Sequence, residues 1–186
     1  VKGMVFLDSS HPEQWKRLAQ NELFSDSQII IVKTMAILAD MGIVGAFNTL
    51  FKSEPNNDGL PKALHTRSHN LTAYSGKVFH RYIKENNINN MILKRAGQTK
   101  SLDSLPILVF TATEQYEESQ KEKYRNQGID PDKQIELWFK MQKELKELSK
   151  NGKQFIINAN HGSIITKKKN ADMINKQILL MAETIK

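Results

Sequence analysis

Apolar residues fall along this chain in two rhythms, short unbroken runs near the ends and helical spacing between them. Residues 3–7 (Gly-Met-Val-Phe-Leu) form a run of the kind buried on both faces of a parallel sheet, and the run stops at Asp8. Pro12 and Glu13 suit a first helical turn, which predicts a helix starting near Ser10 with Asp8 or a serine as its cap. Gln28, Ile31, Met35 and Leu38, then Ile43, Phe47 and Leu50, make a helical series broken near Gly42 and Gly45. Residues 53–61, with Pro55, Asn56, Asn57, Asp58 and Gly59, read as a loop. Residues 73–85 and 89–96 read as two helices joined through Asn86 and Asn87.

The strand pattern returns at residues 105–110 (Leu-Pro-Ile-Leu-Val-Phe). Asp130-Pro131 then opens a helix whose apolar face is Leu137, Met141, Leu145 and Leu148, and Asn151-Gly152 is expected to close it. Gly152 marks a turn before a third apolar run, Phe155, Ile156 and Ile157, which dissolves into small polar residues and His161. A last helix, with Asn170 as a candidate cap, carries Ile174, Ile178, Met181 and Ile185 on one face.

Strand, helical insert, strand, helix, strand, helix predicts an α/β fold: a parallel sheet covered by helices, with right-handed crossovers. The core is expected from residues 1–12 and 101–186, and residues 13–100 form a helical insertion. In such a sheet the carboxyl ends of the strands share one edge, where ligands bind and chemistry occurs. Asp8, Glu114 and His161 each follow a strand, so all three are aimed at that edge.

Composition removes several alternatives. There is no cysteine, which excludes disulfides, thiolate metal sites and a cysteine nucleophile. No apolar run approaches the roughly 20 residues of a membrane span; the most hydrophobic segment, residues 28–38, is short and contains Lys33. The net charge of +7 does not make a nucleic-acid protein, because no basic stripe alternates with aromatics and acidic residues are mixed in. Residues 136–150 are a solvated helix face of Glu/Lys pairs. His65 and His69 stand at i,i+4, but with Arg67 between them and no third ligand at suitable spacing no metal site is expected. The chain opens inside a strand, with no initiator Met and no signal-type segment, so more protein is expected before Val1. No compartment is identified; the cytoplasm is the default.

A carboxylate after one strand, a helical insert, and a histidine after the last strand match the second half of the chain order Ser…Asp…His. Residues 3–14 (Gly-Met-Val-Phe-Leu-Asp-Ser-Ser-His-Pro-Glu-Gln) resemble a strand and loop of the α/β-hydrolase fold superfamily, in its esterase-like branch. Residues 105–111 are similar to the next strand, and residues 137–149 with Asn160-His161-Gly162-Ser163-Ile164-Ile165 to the final helix–strand–histidine unit. The resemblance spans nearly the whole chain and is weakest across the insert. It implies the C-terminal portion of that fold, with the insert as a helical cap over an apolar pocket. It also implies hydrolysis of a carboxylic ester or similar acyl bond in a small-molecule substrate, with His161 as base and no cofactor.

Two features depart from the family. The nucleophile elbow G-x-S-x-G is absent, since Ser75-Gly76 and Gly162-Ser163 lack its glycines and setting, so the serine and oxyanion donors belong upstream in the same protein. Asn160 stands where many members have glycine. The acid is open between Asp8 and Glu114, with Asp8 favoured; the family's usual acid position falls nearer Gln115. The alternative is a non-catalytic member that binds a ligand or partner and keeps the histidine and carboxylate as remnants.

Overall fold

The computed structural model describes residues 1–19, 26–51, 61–64, 66–67 and 76–185, and it divides into two compact units. The first unit, Val1–Asn21 with Leu93–Lys186, is α/β and holds a parallel three-stranded sheet in the order β1-β2-β3. The strands are β1 (Met4–Leu7), β2 (Ile107–Ala112) and β3 (Gly152–Ile157). Met4 pairs with Ile107 and Leu7 with Phe110 across β1 and β2; Ile107 pairs with Gly152 and Ala112 with Ile157 across β2 and β3.

Every residue of central β2 is buried, which is why its sequence is apolar without alternation. Its side chains still point alternately to two faces. Leu108, Phe110 and Ala112 join Ile157, Ile164 and Ile174 in one cluster, with Val5, Leu7, Phe155, Ile178 and Met181 packed around it. Ile107 and Val109 join Leu145 in the other, with Met4, Phe6, Leu102 and Leu148. Helix α6 (Pro131–Glu147) therefore covers one face, and α8 (Lys168–Thr184) the other. Phe110 and Phe155 stack across neighbouring strands with centroids 5.1 Å apart.

Several boundaries differ from expectation, each for a local reason. Strand β2 starts at Ile107 rather than residue 105 and runs on through Thr111 and Ala112, which pair with Ile156 and Ile157. Gly152 is the first residue of β3, not the closing turn of α6: a Cβ there would lie 2.0 Å from the Lys146 carbonyl oxygen, so only glycine lets the strand start against the helix end. The first helix, α1 (Gln14–Arg17), begins later than Ser10, and its cap position is Glu13 without a side-chain bond. Asn170 does not cap α8, which begins at Lys168; its side chain instead donates to the Ser163 carbonyl at 3.0 Å.

The second unit, Glu22–Ile92, is helical in its described residues. Helices α2 (Asp26–Asp40) and α3 (Ile43–Phe51) are separated by Gly42, whose φ of +77° suits glycine; Gly45 lies inside α3 and breaks nothing. Helix α4 (Lys77–Ala96) is continuous through Asn86 and Asn87, where two helices were expected, because neither a glycine nor a proline interrupts its backbone hydrogen bonding. Residues 13–19 and 93–100, counted with the insertion on sequence grounds, group with the sheet. The predicted loop at residues 53–61 lies, but for Pro61, outside the described residues. Among the described residues no helix is long and apolar enough to cross a membrane.

Candidate functional site

All three strands run the same way, so their carboxyl ends meet at one rim. Strand β1 ends at Leu7, and Asp8 turns out of it with φ +44°, a left-handed conformation uncommon outside glycine and better tolerated by Asp than by most residues. The Asp8 N–H still donates to Phe110 O at 2.7 Å, keeping the residue on the sheet. Its carboxylate reaches beyond the strand end and takes the Ala112 N–H at 3.0 Å, a group that a main-chain carbonyl would bind if β1 continued.

Asp8 is only 1% exposed, so protein groups must supply what water would. Its Oδ1 accepts three N–H groups: Ala112 at 3.0 Å, the Trp138 indole at 3.2 Å and the Gln115 amide at 3.3 Å. The orientation of Gln115 is fixed by a second acceptor, because the same Nε2 lies 2.6 Å from the Ala112 carbonyl oxygen. Asp8 Oδ2 faces His161 Nδ1 at 3.0 Å, with Gln115 Nε2 at 3.5 Å.

With the Asp8 carboxylate as acceptor, the neutral His161 ring carries its proton on Nδ1 and leaves a lone pair on Nε2. The ring is 78% exposed on its side-chain surface. The hydrogen bond to Asp8 raises the pKa of His161 above its ordinary value, and the carboxylate's charge adds to this against a partial loss of hydration.

His161 is held in place by its neighbours. Asn160 Oδ1 accepts the Ser163 N–H at 2.7 Å and Ser163 Oγ accepts the Asn160 N–H at 2.9 Å, a reciprocal pair of the capping-box kind at the entry to α7 (Ser163–Thr166). Asn160, where glycine was the family expectation, therefore has a structural task. Glu114 is exposed; its N–H donates to the Ala159 carbonyl at 2.9 Å, and the carboxylate paired with His161 is that of Asp8. Gln115, the position where the resemblance would set an acid, donates to the Asp8 carboxylate.

Helix α6 grips the segment that carries Asp8 through a stripe spaced one turn apart. Gln134 Oε1 accepts the Ala19 N–H at 2.7 Å, Trp138 donates to Asp8, and Gln142 Nε2 donates to the Ser9 carbonyl at 2.7 Å. Glu144 adds a two-pronged ion pair to Arg17, at 2.6 and 3.0 Å, and meets His11 Nε2 at 3.3 Å. His11 Nδ1 accepts the Glu13 N–H at 3.1 Å, which makes Nε2 the protonated nitrogen facing Glu144. Burial lowers the His11 pKa and outweighs the pull of Glu144, while the hydrogen bond from Arg17 lowers that of Glu144.

The sequence reading did not assign Trp138, Gln142, Gln115 or Glu144 to the site. One signal was present: Gln134, Trp138 and Gln142 run at i, i+4, i+8 beside the apolar face of Leu137, Met141 and Leu145, and Gln142 is wholly buried. A polar stripe bordering a core face must be bonded to something. His65 and His69 lie outside the described residues, and among the described residues no three His, Asp or Glu side chains are grouped to hold a metal ion. Compared with protein-family models, curated proteins and solved structures, the chain has no match.

Proposed function

We propose that this chain is the C-terminal portion of an α/β-hydrolase-fold protein, and that Asp8 and His161 are the acid and base of a serine triad whose serine lies upstream of Val1. The reaction is hydrolysis of a carboxylic ester or a similar acyl bond. The observation that carries this reading is the Asp8 Oδ2 to His161 Nδ1 contact of 3.0 Å at the carboxyl rim of a parallel sheet, which leaves Nε2 free to take a proton. Residues 1–186 contain no G-x-S-x-G, so this reading takes its nucleophile from outside them.

In the proposed cycle the serine hydroxyl gives its proton to His161 Nε2 as its oxygen bonds to the acyl carbon. The imidazolium is stabilised by Asp8 and returns that proton to the leaving alkoxide, freeing the alcohol and an acyl-enzyme. Water then repeats the sequence: His161 takes its proton, and the serine oxygen leaves with the proton returned. Asp8 is held for this task by the three N–H donors on its Oδ1, which keep Oδ2 turned to the ring.

The test uses the full-length protein and a p-nitrophenyl ester. His161→Ala should lower kcat by about a thousandfold or more, and the 186-residue chain alone should show no serine-dependent turnover. Undiminished hydrolysis by His161→Ala would remove the proposal. Absence of hydrolysis in the native protein, together with an upstream sequence lacking the elbow, would favour a non-catalytic binding protein of the same fold.

A further inference from the structure

A buried carboxylate 3.0 Å from an imidazole creates a difficulty for a general base. The closer and barer the negative charge, the more firmly His161 keeps a second proton, and an imidazolium at working pH cannot accept one from a nucleophile. Asp8 has almost no contact with solvent to disperse that charge. Three N–H groups on its far oxygen do so instead, and two of them come from side chains unrelated to the strand ladder: Trp138 from α6 and Gln115 from the loop after β2.

We propose that Trp138 and Gln115 are positioning residues that temper the Asp8–His161 pair, drawing negative charge onto Oδ1 so that His161 presents a free Nε2 near neutral pH. This rests on the acid–base reading of the pair and deepens it. The division of labour follows from the distances. The indole N–H meets only Oδ1, at 3.2 Å, while the Gln115 amide touches both oxygens, at 3.3 and 3.5 Å, and is itself anchored on Ala112 O at 2.6 Å. Trp138 is held in register by the same helical stripe that binds Ala19 and Ser9, so α6 is the part of the fold that sets the basicity of a histidine on a different loop.

Packing alone predicts a different outcome from charge sharing, and the two have opposite signs. Removing a donor from Oδ1 without disturbing geometry concentrates charge on Oδ2 and strengthens the hold on the His161 proton. Loosening the carboxylate weakens that hold. The measurement is the NMR titration of the His161 ring in the full-length protein, assigned by its loss in His161→Gln. Trp138→Phe, which keeps a ring and deletes the N–H, should raise the titration midpoint by about 0.3–0.5 pH unit. Gln115→Met, similar in length and without donors, should do the same and carries the test alone if Trp138→Phe fails to fold by near-ultraviolet circular dichroism. An unchanged or lowered midpoint in the folded variants would overturn tempering. In the full-length protein the acid limb of the kcat profile should move upward in step, with KM unchanged. Because the titration needs no turnover, loss of the hydrolase reading and loss of the tempering claim are separately visible.

Discussion

Asp8 and His161 are 153 residues apart in sequence and 3.0 Å apart between Oδ2 and Nδ1. Asn is the informative replacement for the acid, because it tolerates the left-handed φ of +44° that would strain most other residues. Asp8→Asn should leave the fold intact and bring the His161 midpoint down from its raised value toward 6.5, read by NMR. Hydrolysis by the full-length protein should fall about ten-thousandfold, as expected when an imidazole loses the partner that fixes its tautomer. A midpoint that does not move would show that the contact is not a functional hydrogen bond in solution.

The dependence of stability on pH should have two opposed histidine contributions. His161 has a raised pKa in the folded state, so its contribution is fully present below 6.5 and is lost as pH rises through the folded value. His11 is lowered by burial, so it opposes folding as pH falls from 6.5 through its folded value. Glu144, lowered by Arg17, contributes above 4.5 and loses that contribution as acid protonates it. Thermal melts between pH 4 and 8 should show His11→Gln losing less stability on acidification than the parent, and His161→Gln gaining less. Parallel curves for all three proteins would refute both assignments.

The legible part of this fold was the part written in continuous apolar runs. Residues 3–7, 105–110 and 155–157 announce strands because a parallel sheet buries both faces, and Asp130-Pro131 announces α6 because the Asp130 side chain accepts the N–H groups of Asp132 and Lys133. The rim residues Asp8 and His161 were legible as strand-end positions. What escaped was set by tertiary contact rather than by local preference. Gly152 read as a turn because its constraint, the Lys146 carbonyl, is spatial. Trp138 and Gln142 carried no local sign of their task because their partners, Asp8 and Ser9, lie some 130 residues earlier. Asn86-Asn87 read as a break because local propensity is weak evidence inside a long helix.

The grip of α6 on the acid loop should show as a modest stability cost when Gln142 is replaced. Gln142→Leu removes the donor to the Ser9 carbonyl, and an unmet acceptor costs about 1–3 kcal/mol when buried. The same change also deletes Gln142 Oε1, which is buried without a partner, so part of the cost is returned. Ser9 is half-buried and water reaches it in part. The net loss should be about 1 kcal/mol by urea unfolding, accompanied by broadening of the His161 ring signal as Asp8 gains freedom. A loss above about 3 kcal/mol would mean that the leucine is overpacked rather than that a bond is missing.

Two glycines separate steric from conformational necessity. Gly128, after α5 (Glu118–Asn126), has φ +72° with open space where a Cβ would stand, so Gly128→Ala should cost only the left-handed strain, about 1 kcal/mol. Gly152 has an ordinary backbone, yet its Cβ would meet the Lys146 carbonyl oxygen at 2.0 Å and the Ser149 oxygen at 3.2 Å. Those atoms are main chain and cannot swing aside, so β3 or the end of α6 must move. Because β3 pairs in register with β2 from Gly152 to Ile157, a displaced start propagates toward the loop that carries His161. Gly152→Ala should therefore cost about 3 kcal/mol or more by urea unfolding and also shift the His161 resonance, whereas Gly128→Ala should leave that resonance where it is. Equal costs for the two, or a His161 signal blind to Gly152→Ala, would mean that the strand start is compliant and that the rim is positioned by Asp8 and α6 alone.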